Sequence, residues 1–402
     1  LPSATRWQTL GGTPQRNGFT EASAPTQDVY KAWQPSKVPY VQGQPTISST
    51  GEIYVTTNSM ACVKYSRGST EPMWSFAGQG NFNNYQGISG PTISDNELTI
   101  YPVLGYYAYS VDSKTGTQRW ATQLPAIPLS GPLIVSNLVV VGAPTTCALF
   151  GLDTRTGEQV WTHYLNGRFA CQSASPPILT GGQDQLIIAS ATFKDVGTRN
   201  TVGYTVVALN LSGGVVWNTT VMNNPWPAAV VNNIVSWPIF TTSQAGKGIV
   251  LQGFDMKNVR DVVIAFDAST GQQQFQFTVP FQLFLGGIAS DNMGRLLITG
   301  FGAGLFHLNG SYVWMKKDVN SAYSVPVVAG NNVGIFGDSY NGILRAVNLT
   351  NGTWLWYIPS KYGSNAVASY GAAVGPQQIV AFSATNTDFA VVAPRSLAGA
   401  IN

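Results

Sequence analysis

The sequence predicts an all-β chain that is assembled as an array of small sheets. An eleven-residue segment recurs four times, at residues 110–120, 151–161, 265–275 and 346–356, and a shorter variant lies at residues 208–217. Each copy reads as a strand, a tight turn that starts with Asp or Asn and contains Gly, and a second strand that ends in an aromatic residue. One such hairpin unit in roughly every 40 to 60 residues is typical of a radial or linear array of sheets.

The recurring segment follows the pattern small-x-Asp/Asn-x-x-Thr-Gly-x-x-x-Trp. This pattern resembles the tryptophan-docking motif of the quinoprotein-type β-propellers, a superfamily named after the pyrroloquinoline quinone (PQQ) alcohol dehydrogenases. Residues 5–23 also resemble the N-terminal strap of PQQ-repeat proteins. The resemblance covers essentially the whole chain and implies a propeller in which each motif Trp packs against the next blade.

The number of blades follows from the outer-strand aromatic residues, one for each blade. Eight positions qualify: Trp33, Trp74, Trp120, Trp161, Trp217, Phe275, Trp314 and Trp356. Trp74 and Trp314 lie in degenerate copies of the motif, so the sequence also allows seven blades. We expect an eight-bladed β-propeller.

Trp33 precedes any complete blade, which indicates how the ring closes. Residues 29–36 are expected to be the outermost strand of the last blade, whose inner strands come from around residues 370–375, 378–383 and 389–393. Closure of this kind leaves only short, protected sheet edges. We therefore expect one domain over residues 1–402, with a strap at 1–28, the closing strand at 29–36 and the blades at 37–402.

Charge and hydropathy exclude several partner classes. Charged residues make up 10% of the chain, against about 25% for a typical soluble domain. The net charge of +3 is spread along the sequence, which argues against nucleic-acid and anionic-membrane partners. No apolar stretch approaches the ~18 residues of a membrane span. The chain starts at Leu1 without a leader, so we expect a mature secreted protein, extracellular or, in a bacterium, periplasmic.

Cysteines and glycosylation sequons bear on the compartment. Cys147 and Cys171 could form a disulfide within one blade and its exit loop, or remain buried thiols like Cys62. Asn-x-Ser/Thr sequons, which are glycosylation candidates, occur at Asn210, Asn218, Asn309, Asn348 and Asn351. Four of the five, all except Asn218, fall in turns between the two outer strands of a blade. That placement would coat one face of the ring with glycan.

The resemblance raises the hypothesis of a PQQ- and calcium-dependent dehydrogenase. It implies a disulfide between adjacent cysteines, an Asp base and a Glu/Asn/Asp set of calcium ligands, but the chain has no adjacent cysteines and no residues that match these positions. His163 and His307 lie in strand patterns and do not indicate a general base. We therefore expect no catalytic residues, no cofactor and no metal.

Two blades are longer than the others. Their surplus falls in residues 193–204 and 241–261, which we expect to form middle-strand hairpins that stand side by side on one face. Charged and aromatic residues on that face are the candidates for partner binding: Lys194, Arg199, Lys247, Lys257, Arg260, Trp226 and Tyr85. Aromatic platforms beside polar side chains suit sugars, and they suit a protein partner equally well.

These observations favour a secreted, non-enzymatic propeller that acts as a structural or scaffold interaction protein. Low surface charge favours self-association into oligomers or fibres, because little like-charge repulsion keeps copies apart. A carbohydrate-binding, lectin-like propeller is the alternative. A PQQ-dependent dehydrogenase is the third hypothesis.

Overall fold

The computed structural model describes residues 6–397 with internal gaps. The gaps are residues 10, 34–40, 80–89, 129–130, 144–145, 166–169, 175–176, 181–184, 195–200, 223–238, 244–245, 256–259, 282–286, 292, 322–323, 339–341, 360–366 and 385–387. Within the described residues the chain is all-β, and its strands form eight sheets that we number as blades 1 to 8. All strand pairs in them are antiparallel except one in blade 7. The predicted all-β propeller fold is confirmed.

Blades 1 to 4 follow one another along the chain. Blade 1 contains β3 (Val41–Ile47), β4 (Ile53–Thr57), β5 (Ala61–Tyr65) and β6 (Pro72–Ala77). Blade 2 contains β7 (Thr92–Ile93), β8 (Thr99–Tyr101), β9 (Val103–Leu104), β10 (Tyr107–Asp112) and β11 (Gln118–Gln123). Blade 3 contains β12 (Leu133–Val135), β13 (Leu138–Ala143), β14 (Ala148–Asp153) and β15 (Gln159–Tyr164). Blade 4 contains β16 (Ala170–Ala174), β17 (Ile178–Leu179), β18 (Ile187–Lys194), β19 (Thr201–Leu209) and β20 (Val215–Met222).

Blades 5 to 8 complete the set. Blade 5 contains β21 (Ile239–Ser243), β22 (Gly246–Asp255), β23 (Arg260–Asp267) and β24 (Gln273–Thr278). Blade 6 contains β25 (Ile288–Ser290), β26 (Leu296–Gly300), β27 (Gly302–Phe306) and β28 (Tyr312–Lys316). Blade 7 contains β29 (Val327–Ala329), β30 (Val333–Asp338), β31 (Ile343–Asn348) and β32 (Trp354–Pro359), and β1 (Phe19–Thr20) runs parallel to β29. Blade 8 contains β33 (Val367–Val374), β34 (Val380–Ala384), β35 (Asp388–Pro394) and β2 (Val29–Trp33).

Blade 8 joins the two ends of the chain in one sheet. β2 is the outermost strand and pairs with β35 in the antiparallel direction, with Val29 opposite Pro394 and Trp33 opposite Val391. Inner strands of successive blades from 3 to 8 contact each other, and β33 of blade 8 contacts β3 of blade 1. The predicted closure of the ring by an N-terminal strand is confirmed.

A repeated contact joins six of the eight blades to the next blade. The indole Nε1 of Trp120 in blade 2 donates a hydrogen bond of 2.9 Å to the carbonyl oxygen of Thr154, in the outer-strand turn of blade 3. Gly157 of that turn has φ +75°, and a Cβ atom on it would lie 2.7 Å from the Trp120 ring. Glycine is therefore required there for two reasons, its backbone conformation and the close approach of the indole.

The same Nε1–carbonyl bond recurs from Trp74, Trp161, Trp217, Trp314 and Trp356. Trp33, Trp120, Trp217, Trp314 and Trp356 are buried, whereas Trp74, Trp161 and Phe275 are only half-buried. Blade 5 departs from the pattern: the ring that lies under Gly310 of the next blade is that of Phe277, not Phe275. Phenylalanine has no N–H group to hold the ring at the usual position.

Replacing Trp120 by alanine should destabilise the ring strongly. The substitution removes a ring that is 7% exposed together with its hydrogen bond, and large core truncations of this kind cost about 3 to 5 kcal/mol. Chemical denaturation would measure the free energy of unfolding. Tyr357→Ala is the control, because Tyr357 is 62% exposed and should change stability by less than about 0.5 kcal/mol. Equal effects of the two substitutions would contradict the docking role.

Removing residues 1–35 should open the ring. The truncated chain loses β2 and leaves β35 with an unpaired edge, and exposed edges promote aggregation. We expect a large drop in melting temperature with concentration-dependent aggregation, measured by calorimetry and light scattering. A synthetic peptide of residues 1–35 added to the truncated chain should restore part of the melting temperature. A truncated monomer that melts like the intact chain would refute the closure scheme.

Candidate functional site

The N-terminal strap lies along the ends of the inner strands of the ring. Its backbone bonds to blade 1 through Trp7 and Ile47, to blade 4 through Pro14 and Leu179, and to blade 7 through the parallel pairing of β1 with β29. Further backbone bonds reach Ile93 of blade 2 and Ser290 of blade 6. The strap thus makes a circuit that ties together five blades adjacent to the ring axis.

Arg16 is the buried charge at the centre of this circuit. It is 0% exposed, and its Nε donates a 2.8 Å hydrogen bond to the carbonyl oxygen of Pro177, just before β17. Nη2 donates to the carbonyl oxygen of Gly131, just before β12. Burial lowers the pKa of Arg16 to about 9, so its guanidinium remains charged at neutral pH. Arg16 therefore links blades 3 and 4 through backbone carbonyls.

Gln44 of β3 provides a second polar link at the axis. Its Oε1 accepts a 2.7 Å hydrogen bond from the backbone N–H of Gly11, and its Nε2 donates a 2.6 Å bond to the carbonyl oxygen of Ala372 in blade 8. One amide side chain thus joins the strap, blade 1 and blade 8.

The other buried charges of the described residues are also paired within the fold. Arg6 contacts Asp95, and Lys64 lies 2.8 Å from a carboxylate oxygen of Glu52. Asp291 pairs with Arg295 at 2.6 Å, and Asp338 pairs with Arg345 at 2.9 Å. Catalytic groups typically converge on a shared cleft with perturbed pKa values. These pairs lie in different blades and have structural partners.

The two faces of the ring differ in what they carry. We call the end of the sheets that holds the outer-strand turns the turn face, and the opposite end the insertion face. Asn210, Asn309 and Asn351 are exposed on the turn face, and Asn348 is half-buried there. Their Oδ1 atoms accept hydrogen bonds from backbone N–H groups two residues ahead, as Asn210 does from Ser212. Asn218 is exposed within β20.

The structure describes only some of the predicted partner-binding residues. Tyr85, Arg199, Trp226 and Lys257 lie outside the described residues. The backbone of Lys194 ends β18 opposite Thr201, and that of Arg260 begins β23 opposite Asp255, so both lie at the insertion face.

The position predicted for Lys247 is wrong. Lys247 lies at the start of β22 opposite Thr242, at the turn-face end of blade 5. Residues 241–261 span two hairpins, and the surplus residues mainly lengthen strands: β22 has ten residues. Strand lengthening leaves no local signal that distinguishes it from an insertion in a loop, because both carry β-branched and polar residues.

The cysteines differ in state. Cys147 is disulfide-bonded, and Cys171, whose side chain lies outside the described set, is the remaining cysteine besides Cys62. Cys62 is a free, buried thiol, and burial raises its pKa, which makes it unreactive.

A cavity of about 280 Å³ lies where the chain ends meet in blade 8. It is lined by Thr26, Gln27, Asp28, Gln378, Pro394, Arg395 and Ser396. Since the junction of chain ends occurs once in the ring, this cavity is not one of the repeated pockets expected of a lectin-like propeller.

The described residues hold no cluster of the kind that a calcium site of a PQQ enzyme requires. Among them, no group of three His, Cys, Asp or Glu side chains could hold a metal ion. The buried carboxylates Asp291 and Asp338 are committed to arginines in blades 6 and 7. No helix in this described part of the chain is sufficiently long and apolar to span a bilayer.

Comparison with known proteins decides the family. A family model described as outer membrane protein assembly factor BamB matches residues 104–245 and 259–399, most of the chain. The chain belongs to this BamB-like family of PQQ-repeat propellers. No curated protein sequence matches the chain.

Two solved structures share the fold of this BamB-like chain. A europium-containing methanol dehydrogenase has a TM-score of 0.72 at 13% identity, with 97% of this chain and 98% of that chain covered. BamB from Moraxella catarrhalis has a TM-score of 0.58 at 16% identity, with 90% and 99% covered. At these identities the likeness shows the propeller fold, which hosts both a dehydrogenase and an assembly factor.

Replacing Arg16 should weaken the ring without touching any blade surface. Arg16→Leu leaves the carbonyl groups of Pro177 and Gly131 without their donor, and each unpaired buried group costs about 1 to 3 kcal/mol. Arg16→Lys should recover little, because an ammonium group cannot reproduce the guanidinium fork. Arg155→Ala, at an exposed arginine, is the control for loss of charge. Thermal unfolding of the three variants tests the role of Arg16, and an unchanged Arg16→Leu melting temperature would contradict it.

Proposed function

We propose that this protein is a secreted, non-enzymatic propeller that acts as a scaffold for contacts between polypeptides, including copies of itself. The proposal rests on one observation. Among the described residues, every buried charged side chain is bound by an ion pair or a hydrogen bond inside the fold: Arg6, Arg16, Lys64, Asp291 and Asp338. These contacts stabilise the fold, and the groups that are free to bind a partner lie on the surface. The family description names an assembly factor, a role performed by contacts.

Two features support an extracytoplasmic location. The disulfide at Cys147 is a type of bond that persists in oxidising compartments. The exposed sequons at Asn210, Asn309 and Asn351 share the turn face with Asn348. If the secreted chain carries glycans at these positions, the turn face is shielded, and partners would dock on the insertion face or on the flank formed by the outer strands.

Hydrogen exchange on the native assembly tests this proposal. We expect amides on the flank or on the insertion face to exchange more slowly in the assembly than in the isolated chain. The turn at residues 348–353 should exchange at the same rate in the assembly and in the isolated chain. Peptide mapping of the secreted protein should find glycans at turn-face sequons. Protection centred on Asn348 and Asn351, or glycans distributed over both faces, would contradict the sidedness.

Two ligand measurements separate the competing functions. Titration with PQQ in the presence of calcium or a lanthanide, followed by a dye-linked alcohol oxidation assay, should show neither binding nor turnover. Titration with oligosaccharides should show no binding of several sugar molecules to one propeller. PQQ-dependent turnover would establish an enzyme, and multivalent sugar binding would establish the lectin-like alternative.

A further inference from the structure

The outer strands of the eight blades differ in how their free edges are protected. Charges and prolines on an edge strand discourage pairing with another chain. Five outer strands carry such a residue: Lys31 in β2, Pro72 in β6, Arg119 in β11, Lys316 in β28 and Pro359 in β32. The outer strands of blades 3, 4 and 5 contain no proline and no Lys, Arg, Asp or Glu. These three strands form one continuous arc of the flank.

β20 has the longest regular edge of the three. Each outer strand of blades 1 to 7 has a register shift just before its aromatic residue, and regular pairing begins at that residue. In β20 the regular stretch runs for six residues, 217–222, whereas in β15 and β24 it ends after four. Six residues span about 20 Å, a typical full strand.

β20 and the outer strands of the two neighbouring blades carry no charged side chain, and several of their exposed residues are apolar. Val215 and Val216 are 52% and 50% exposed, and in the neighbouring β15 Val160 is 54% exposed. Burial lowers the pKa of His163 in β15, which favours the neutral form of its ring. Within the described residues β20 pairs with β19 on one side and with no strand on the other. No strand among these residues uses its outer N–H and C=O groups, which are the groups that a further strand would bind.

We propose that β20 pairs in the antiparallel direction with β20 of a second copy, so that the sheets of two blade 4 units become continuous. This inference rests on the proposed scaffold function and names its contact. A second copy fits better than an acidic or basic partner, because the edge offers no charge for such a partner to match. In an antiparallel two-fold pairing the residue on the axis meets its own copy, so a charge near the middle of the strand would lie close to the same charge of the other copy.

The sequon at Asn218 lies in the middle of the proposed contact. Residues on one face of the strand meet across the two-fold axis, so Thr220 meets Thr220 or Asn218 of the other copy. A glycan on Asn218 would block this approach, whereas glycans on the turn face would not. We therefore expect Asn218 to be unoccupied in assembled material, and occupancy at Asn218 would regulate assembly.

Self-association of the unglycosylated chain, made without a glycosylation pathway, tests the contact. One paired strand buries less than the ~800 Å² per partner of a stable dimer, so we expect weak dimerisation at micromolar concentrations. Sedimentation velocity should show dimers of the intact chain. Thr220→Lys alone and Thr220→Glu alone should be monomeric, and their equimolar mixture should dimerise again. Ala77→Lys, at the equivalent exposed position of β6, should dimerise like the intact chain.

The outcomes separate this contact from the wider function. An intact chain that stays monomeric at about 100 µM, or a Thr220→Lys variant that melts normally and still dimerises, would overturn the pairing. Full glycan occupancy at Asn218 in native assemblies would overturn it as well. In each case, slower hydrogen exchange at another part of the flank or at the insertion face in native material would still support the scaffold function.

Discussion

Closure of the ring is the constraint on which the rest of this structure depends. A blade buries its two faces only against its neighbours, so an open array would leave the first and last blades with bare apolar surfaces. The first 33 residues prevent this in two ways. β2 completes blade 8, and the strap bonds to the inner strands of five blades around the axis. Arg16 and Gln44 add side-chain bonds that no blade could make alone.

Between the blades, one local rule is applied repeatedly. The indole N–H of one blade binds a carbonyl in the next turn, and a glycine without Cβ allows the ring to lie there. Blade 5 shows what the bond contributes: with Phe275 at the aromatic position, the ring under the next turn is that of Phe277. Both rings are apolar, so burial alone does not decide the position. The six tryptophan contacts add a directional bond that phenylalanine cannot make.

The parts predicted from sequence are those that repeat or have turn chemistry. The motif at residues 110–120 predicts its hairpin because Asp112 and Gly116 are required by the turn itself. The route of the strap could not be predicted, because Arg16 binds carbonyl groups of Gly131 and Pro177, and every residue has a carbonyl group. Lys247 was predicted at the wrong face because residues 241–261 lengthen strands of blade 5, and nothing in the composition separates a longer strand from a longer loop.

Longer strands have a consequence that longer loops do not. Extending the middle strands of blade 4 to eight and nine residues allows the outer strand to extend with them, and β20 reaches eight residues. Each added residue brings more backbone N–H and C=O groups to the edge of the sheet. A flank under selection only for solubility would be expected to place a charged residue or a proline there, as β11 does with Arg119 and β32 with Pro359. In blade 4 the outer strand is longer and contains no charged residue. A surface that pairs with another strand requires both properties.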